Sequence, residues 1–163
     1  MENKEEKQFG FAIERILDTG FFIREFLKVE EDKIKVGYGM KFLFDTDNDW
    51  IDYDISANFK EISSDITFVF GSVLTRFFVK DLAGFVDDKK NIVFPDQSLE
   101  TLFSIAFTHM RAILSKNIAG SKYSNIIMVP VINPHKVFNE LLQMNIENAK
   151  KMQDELNNKK ADL

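Results

Sequence analysis

Residues 34–61 constrain the fold more than any other stretch. Ile34, Val36, Tyr38, Met40, Phe42 and Phe44 alternate with Lys35, Gly37, Gly39 and Lys41. A period of two is that of a half-buried strand, whose successive side chains point to opposite faces. Asp45-Thr46-Asp47-Asn48-Asp49 is a polar turn. Beyond it Ile51, Tyr53, Ile55, Ala57 and Phe59 alternate with Asp52, Asp54, Ser56, Asn58 and Lys60. Two such strands predict an antiparallel hairpin with one apolar and one wet face. Ser63-Ser64-Asp65 marks a second turn, and Ile66 to Lys80 predicts another strand. There Ile66, Phe68, Phe70, Leu74 and Phe78 fall on one parity and Val69, Val73, Phe77 and Val79 on the other. A strand apolar on both sides calls for a cover over its second face.

Upstream, Phe9 to Val29 reads as a first strand with a bulge or bend at Asp18-Thr19-Gly20; a helix over Ile13 to Leu27 is the competing reading. After Asp87-Asp88-Lys89-Lys90 the period changes. Pro95, Asp96 and Ser98 make a helix start, and Leu99, Leu102, Phe103, Ala106, Phe107, Met110, Ile113 and Leu114 form one helical stripe. Ile105 and Ala112 fall on the opposite side. They are either two ordinary exposed apolar residues or the contact for a second subunit's helix. The helix ends near Gly120, Ile126 to Ile132 reads as apolar and extended, and Asn133-Pro134 caps a last helix carrying Val137, Phe138, Leu141 and Leu142. The 163 residues predict a single domain, with residues 1–8 and about 148–163 as flexible tails.

The chain has no cysteine, which excludes disulfides, thiolate metal sites and cysteine nucleophiles. A net charge of −5 argues against a nucleic-acid partner. No apolar run is long enough to span a membrane, and no secretory signal is expected, so the expected location is cytoplasmic. Asp45, Asp47 and Asp49 begin a calcium-loop spacing, but Trp50 and Ser56 stand where that loop needs Gly and Glu. Asp52 and Asp54 share a wet strand face, where nothing sets their pKa values apart for acid–base work. His109 sits at the edge of the helical stripe and His135 in a helix first turn. Neither a nucleophile elbow nor a phosphate-binding glycine loop is present. No cofactor, no metal and no enzyme activity is expected.

The second half reads Asn91-Ile92-Val93-Phe94-Pro95, a helix, a glycine, Ile126-Ile127-Met128-Val129-Pro130-Val131 and a Phe-containing helix. Ile13-Glu14-Arg15-Ile16 followed by Phe21 or Phe22 opens the first strand. This layout resembles the SecB family of protein-export chaperones and its SecB-like relatives over roughly Phe9 to Leu142. The resemblance implies an α+β fold, a four-stranded antiparallel sheet with the long helix and the C-terminal helix packed on one face. It implies a homo-oligomer, a tetramer built as a dimer of dimers: subunits pair edge to edge and pairs stack through the long helix, which gives Ile105 and Ala112 an interface role. It also implies binding of unfolded polypeptide in apolar grooves, and the 17 Phe residues suit such a surface. The positions that in the family dock the export ATPase fall on Gly20 and Arg24 here, so that partner is not implied. The loop between Pro130 and Phe138 is one residue longer than the family pattern.

The resulting expectation is a holdase for unfolded or nascent chains. Phe42, Phe44, Trp50, Phe94 and Phe107 are the candidates for its apolar surface, against the alternative that they fill the core. The rival expectation is a dedicated module of the same fold with one partner, such as an antitoxin, and no general chaperone activity.

Overall fold

The computed structural model describes residues 9–87, 93–95 and 97–161. Residues 1–8, Asn91 and Ile92 of the family-like motif, and Asp96 of the helix start lie outside them. The described chain is a sheet of β1 (Phe11–Ile23), β2 (Ile34–Asp45), β3 (Trp50–Glu61) and β4 (Ile66–Val79), followed by α1 (Ser98–Ile118) and α2 (Pro134–Ala161). The strand order is β1-β4-β3-β2, antiparallel throughout. Both helices pack on one face, so the architecture is the expected α+β layering. Helix α2 continues to Ala161, through the region that the sequence reading assigns to a tail.

The hairpin register follows the period of two. Val36 pairs with Phe59, Tyr38 with Ala57, Met40 with Ile55 and Phe42 with Tyr53, and this set faces the helices. On β4, Val73 and Phe77 continue the same rows. Over them lie Leu102, Phe103, Ala106, Met110 and Leu114 of α1, all buried. Tyr53 is fully buried, its ring 6.3 Å from Phe103, and its hydroxyl donates to the Leu99 carbonyl at 2.9 Å. Gly71 lets α1 come close, because a Cβ there would lie 2.7 Å from Leu114 Cδ1.

The expected first strand is present, and three features depart from the sequence expectation: where β1 ends, the side on which Phe68 lies and the cover over β4. β1 is a strand, not a helix over Ile13 to Leu27, and it carries the expected irregularity at Asp18/Gly20 plus another at Ile13/Arg15. It stops at Ile23, because the backbone then turns and the Tyr123 hydroxyl sits 2.6 Å from the carbonyls of Arg24 and Leu27. Phe68 does not share a face with Phe70. A register shift at Phe59/Lys60 turns it to the helix side, 4.9 Å from the Tyr123 ring. Finally, the second face of β4 is left without a full cover, and Phe78 stays 43% exposed.

The turn acids are spent on backbone. Asp45 accepts the N–H groups of Asp47 and Asn48 and the Asn48 side-chain amide. Asp49 takes a left-handed φ of 55° and accepts the Leu82 N–H. The Asp45/Asp47/Asp49 spacing is therefore hairpin chemistry. Glu61 plays the same part in the next turn, accepting the Ser63 and Ser64 N–H groups at 3.0 and 2.7 Å.

Two predictions follow from this packing. Gly71→Ala will cost about 1–3 kcal/mol of stability in urea unfolding, the usual penalty for overfilling a packed interior; an unchanged midpoint would show that Leu114 yields freely. Hydrogen bonds from Ser64 and then Ser63 lower the Glu61 pKa from 4.5 to about 2. Its stabilising effect is thus complete above pH 4.5 and fades as the pH falls toward 2. Glu61→Gln will flatten the acid limb of the stability curve in that window, and identical wild-type and variant curves below pH 4.5 would count against it.

Candidate functional site

A cleft of about 310 Å³ between β2, β3 and α2 is lined by Lys41, Asp54, Ser56, Ser72 and Asn145 beside Met40 and Leu141, and no cluster of three metal-ligating side chains is present among the described residues. Four further open, largely apolar clefts lie around the helices. Three form beside connections between elements and the fourth between β2 and α2.

The first cleft, about 460 Å³, lies between the β1–β2 connection and the start of the α1–α2 connection. Leu27, Val29, Tyr123 and Ile126 line it, with Lys28, Glu30 and Lys122 at the margin. Burial raises the Tyr123 pKa, and the Glu25 carboxylate adds to the effect, so the phenol stays protonated as a donor. The second and third clefts share Val93, Phe94 and Pro95. One continues to Phe85 and Val86, the other to Leu99, His135 and Phe138. Phe9 meets Phe85 and Phe94 edge-on there, and Phe85 and Phe94 are tilted to each other, with centroids 5.1–5.7 Å apart. The fourth cleft runs between β2 and α2, lined by Met40, Phe42, Leu43, Leu142 and Ile146.

The five aromatic candidates go to different places. Phe42 lines the β2/α2 cleft and Phe44 stands beside it, 39% exposed, with ring centroids 6.2 Å apart. Phe94 lines the paired clefts. Phe107 is only 3% exposed and packs between Tyr38 and Phe103 in the core. Trp50 has the parity of Asp52 and Asp54 and lies on the opposite face of the sheet. There the Arg76 guanidinium covers its ring at 4.1 Å while bonding both oxygens of Asp52 at 2.7 Å. Asp54 accepts hydroxyl hydrogen bonds from Ser72 and Thr19. Leu27, Tyr123, Val93 and Phe138 are cleft residues that the sequence reading did not single out. The apolar extended run Ile126 to Ile132 was the one signal pointing toward them.

Ile105 and Ala112 lie seven residues apart on one flank of α1, Ile105 half-buried and Ala112 exposed. His109 on the same flank places Nδ1 3.1 Å from the Thr75 hydroxyl, and Thr75 pairs with Ile16 of β1. That flank therefore leans toward β1, where Phe11, Ile13 and Ile16 are exposed. Burial lowers the His109 pKa. His135 has both ring nitrogens engaged, Nδ1 with Glu100 at 2.6 Å and Nε2 with Asn139 at 3.2 Å.

Tyr123→Phe will destabilise the chain by about 1 kcal/mol, the net worth of one hydrogen bond. It will also speed amide exchange over residues 24–29. Unchanged exchange there would mean that Leu27 and Val29 packing alone holds the connection.

No protein-family model matches the sequence, and no curated protein matches it significantly. Six solved chains match the fold. Among them is the SecB-like chaperone Rv1957 of Mycobacterium tuberculosis, in complex with a ChAD peptide from the Rv1956 HigA1 antitoxin. The superposition has a TM-score of 0.51 at 7% identity and covers 76% of this chain and 90% of that one. At that identity the likeness is one of fold, and the fold is that of a SecB-like chaperone.

Proposed function

We propose that this chain is a SecB-like holdase, an oligomer that keeps unfolded or nascent polypeptide soluble by sheltering its apolar segments, without chemistry or cofactor. The observation that carries this reading is the set of open apolar clefts on the helix side of the sheet. An extended polypeptide could cross several of them. Each square ångström of apolar surface that it buries there is worth roughly 25 cal/mol before ordering costs. The paired clefts and the β2/α2 cleft supply Phe94 and Phe42 to such a surface, with Phe44 at the margin. Phe107 and Trp50 are not part of it in this reading.

Assembly follows from β1. Its outer edge has no strand partner among the described residues, and its apolar residues Phe11, Ile13 and Ile16 stand exposed on the side toward which Ile105 and Ala112 lean. We assign edge-to-edge pairing to β1 and stacking of pairs to this flank of α1, giving a tetramer. No helix among the described residues is long and apolar enough to cross a membrane, in keeping with a cytoplasmic holdase. With Gly20 and Arg24 at the family's ATPase-docking positions, no export partner is proposed.

The second reading is a module dedicated to one peptide. The fold neighbour's complex with an antitoxin peptide favours it specifically.

Light scattering of a chemically unfolded, aggregation-prone protein diluted into buffer separates the two. Holdase activity predicts suppression near one oligomer per client, and Phe42→Ser will raise the amount needed several-fold while Trp50→Ala leaves it unchanged. Absence of suppression by a folded, oligomeric sample would overturn the general holdase and leave the dedicated module. A monomer in sedimentation would overturn the proposed assembly.

A further inference from the structure

Four small residues run in register across the outer face of the sheet. Gly39 of β2 pairs with Ser56 of β3, Ser56 with Ser72 of β4, and Ser72 with Gly20 of β1. The rows on either side are taller, Lys41, Asp54, Leu74 and Leu17 in one and Asn58, Phe70 and Phe22 in the other. The floor between them is therefore a trough. A Cβ at Gly39 would lie 2.7 Å from the Ser56 Oγ, so its absence keeps the trough open at β2. Helix α2 supplies the end wall. Asn145 donates to the Met40 carbonyl at 3.0 Å, which holds that turn of the helix at the β2 edge. Met144, Asn145 and Asn148 thus line the cleft of about 310 Å³ together with Lys41, Asp54 and Ser56.

Two opposite charges stand in this cleft without meeting. Lys41 and Asp54 are direct cross-strand neighbours, a placement at which opposite charges attract. Yet Lys41 has no ion pair and no hydrogen bond among the described residues. Asp54 is drawn the other way, because the hydroxyls of Ser72 and Thr19 donate to its Oδ1 at 2.6 and 3.2 Å. Its Oδ2 accepts nothing among the described residues, and the Ser56 hydroxyl on the adjoining floor has no partner there either. Asp52, one row away, shows the contrast, since Arg76 meets both of its oxygens at 2.7 Å.

We propose that this cleft binds a small zwitterion with an apolar side chain, the chemistry of a free apolar α-amino acid. The ligand's ammonium donates to Asp54 Oδ2 and the Ser56 hydroxyl. Its carboxylate accepts from Lys41 Nζ and the Asn148 amide, and its side chain lies along Phe70 and Met144. A simple anion would face the Asp54 carboxylate, and a simple cation would face Lys41. A ligand carrying both charges meets both, and charge-assisted hydrogen bonds are the stronger kind. Lys41 is held by nothing in the chain, so its stem is free to close over the carboxylate. The volume is at the small end of the range for ligand pockets, which suits a single small molecule. The inference does not rest on the holdase reading, because Asp54, Ser56, Ser72 and Phe70 belong to none of the four apolar clefts.

The test is NMR titration of the full chain with L-leucine, L-methionine and L-phenylalanine, read at the backbone amides. The tightest binder is then compared with its amide, which lacks the carboxylate, and with its des-amino acid, which lacks the ammonium. The expected result is saturable shifts at residues 39–41, 54–56, 72 and 144–148, with each analogue bound at least fivefold more weakly. Lys41→Gln, which removes no contact within the chain, should keep the melting temperature and erase the preference over the amide. Asp54→Asn should erase the preference over the des-amino acid; should it fail to fold, the analogues and Lys41→Gln decide. Shifts confined to the four apolar clefts, equal binding of the amino acid and both analogues, or undiminished binding by Lys41→Gln overturns the proposal. Absence of saturable shifts with all three amino acids overturns it as well. None of these outcomes bears on suppression of aggregation, so the holdase stands or falls separately.

Discussion

One helix covers about two strands. Its diameter of about 10 Å against a strand spacing of about 4.8 Å sets the limit, and the arrangement follows from it. Helix α1 lies mainly over β4 and β3 and touches β1 more lightly, and α2 packs on β2. The fourth strand, β1, is left with Phe11, Ile13 and Ile16 exposed on the side that α1 would have to cover. The two helices must also be joined by a connection running back along α1. A partly covered edge strand and an extended connection are thus consequences of placing two helices on four strands. Both lie on the same face of the sheet as the clefts.

The hairpin was legible because its inner residues keep a strict period of two for the whole of β2 and β3. β1 was harder for an identifiable reason. Its inward positions run 11, 13, 16, 18, 21 and 23, since each irregularity inserts a step of three. Steps of three are also helical steps, which is why a helix over Ile13 to Leu27 competed. Phe68 was assigned to the wrong face by the same mechanism, one inserted residue in β4. The caps and turns were readable wherever their chemistry is local: Asn133 accepts the Lys136 N–H as the N-cap of α2, and Gly120, with φ of 85°, follows α1.

The candidate surface was less legible, because each cleft gathers residues from distant segments. Alternation places Phe42 and Phe107 on the inner side of the sheet layer, yet it cannot tell that α1 seals Phe107 while α2 leaves Phe42 at an opening. Trp50 shows the limit from the other side. Its turn position made it look available, and its parity with Asp52 and Asp54 was visible in the sequence. What the sequence did not display is that Arg76, 24 residues beyond Asp52, would fold over the indole.

That stack explains how the outer face tolerates its aromatic residues. Asp52 is nearly buried, and a buried carboxylate without a partner would be costly. The paired hydrogen bonds from Arg76 meet both of its oxygens, and the guanidinium plane then shields Trp50. Asp54 Oδ1 is held in the next row by Ser72 and Thr19, so β1, β3 and β4 are tied together across the wet face. The outer face thus combines this polar pairing with exposed Leu17, Phe22, Leu43 and Phe78. On the outer face Asp52 and Asp54 have their hydrogen-bond partners within the chain. The helix side retains exposed Met128 and Val131 and a cleft toward each end of their segment, apolar surface that gains by leaving water.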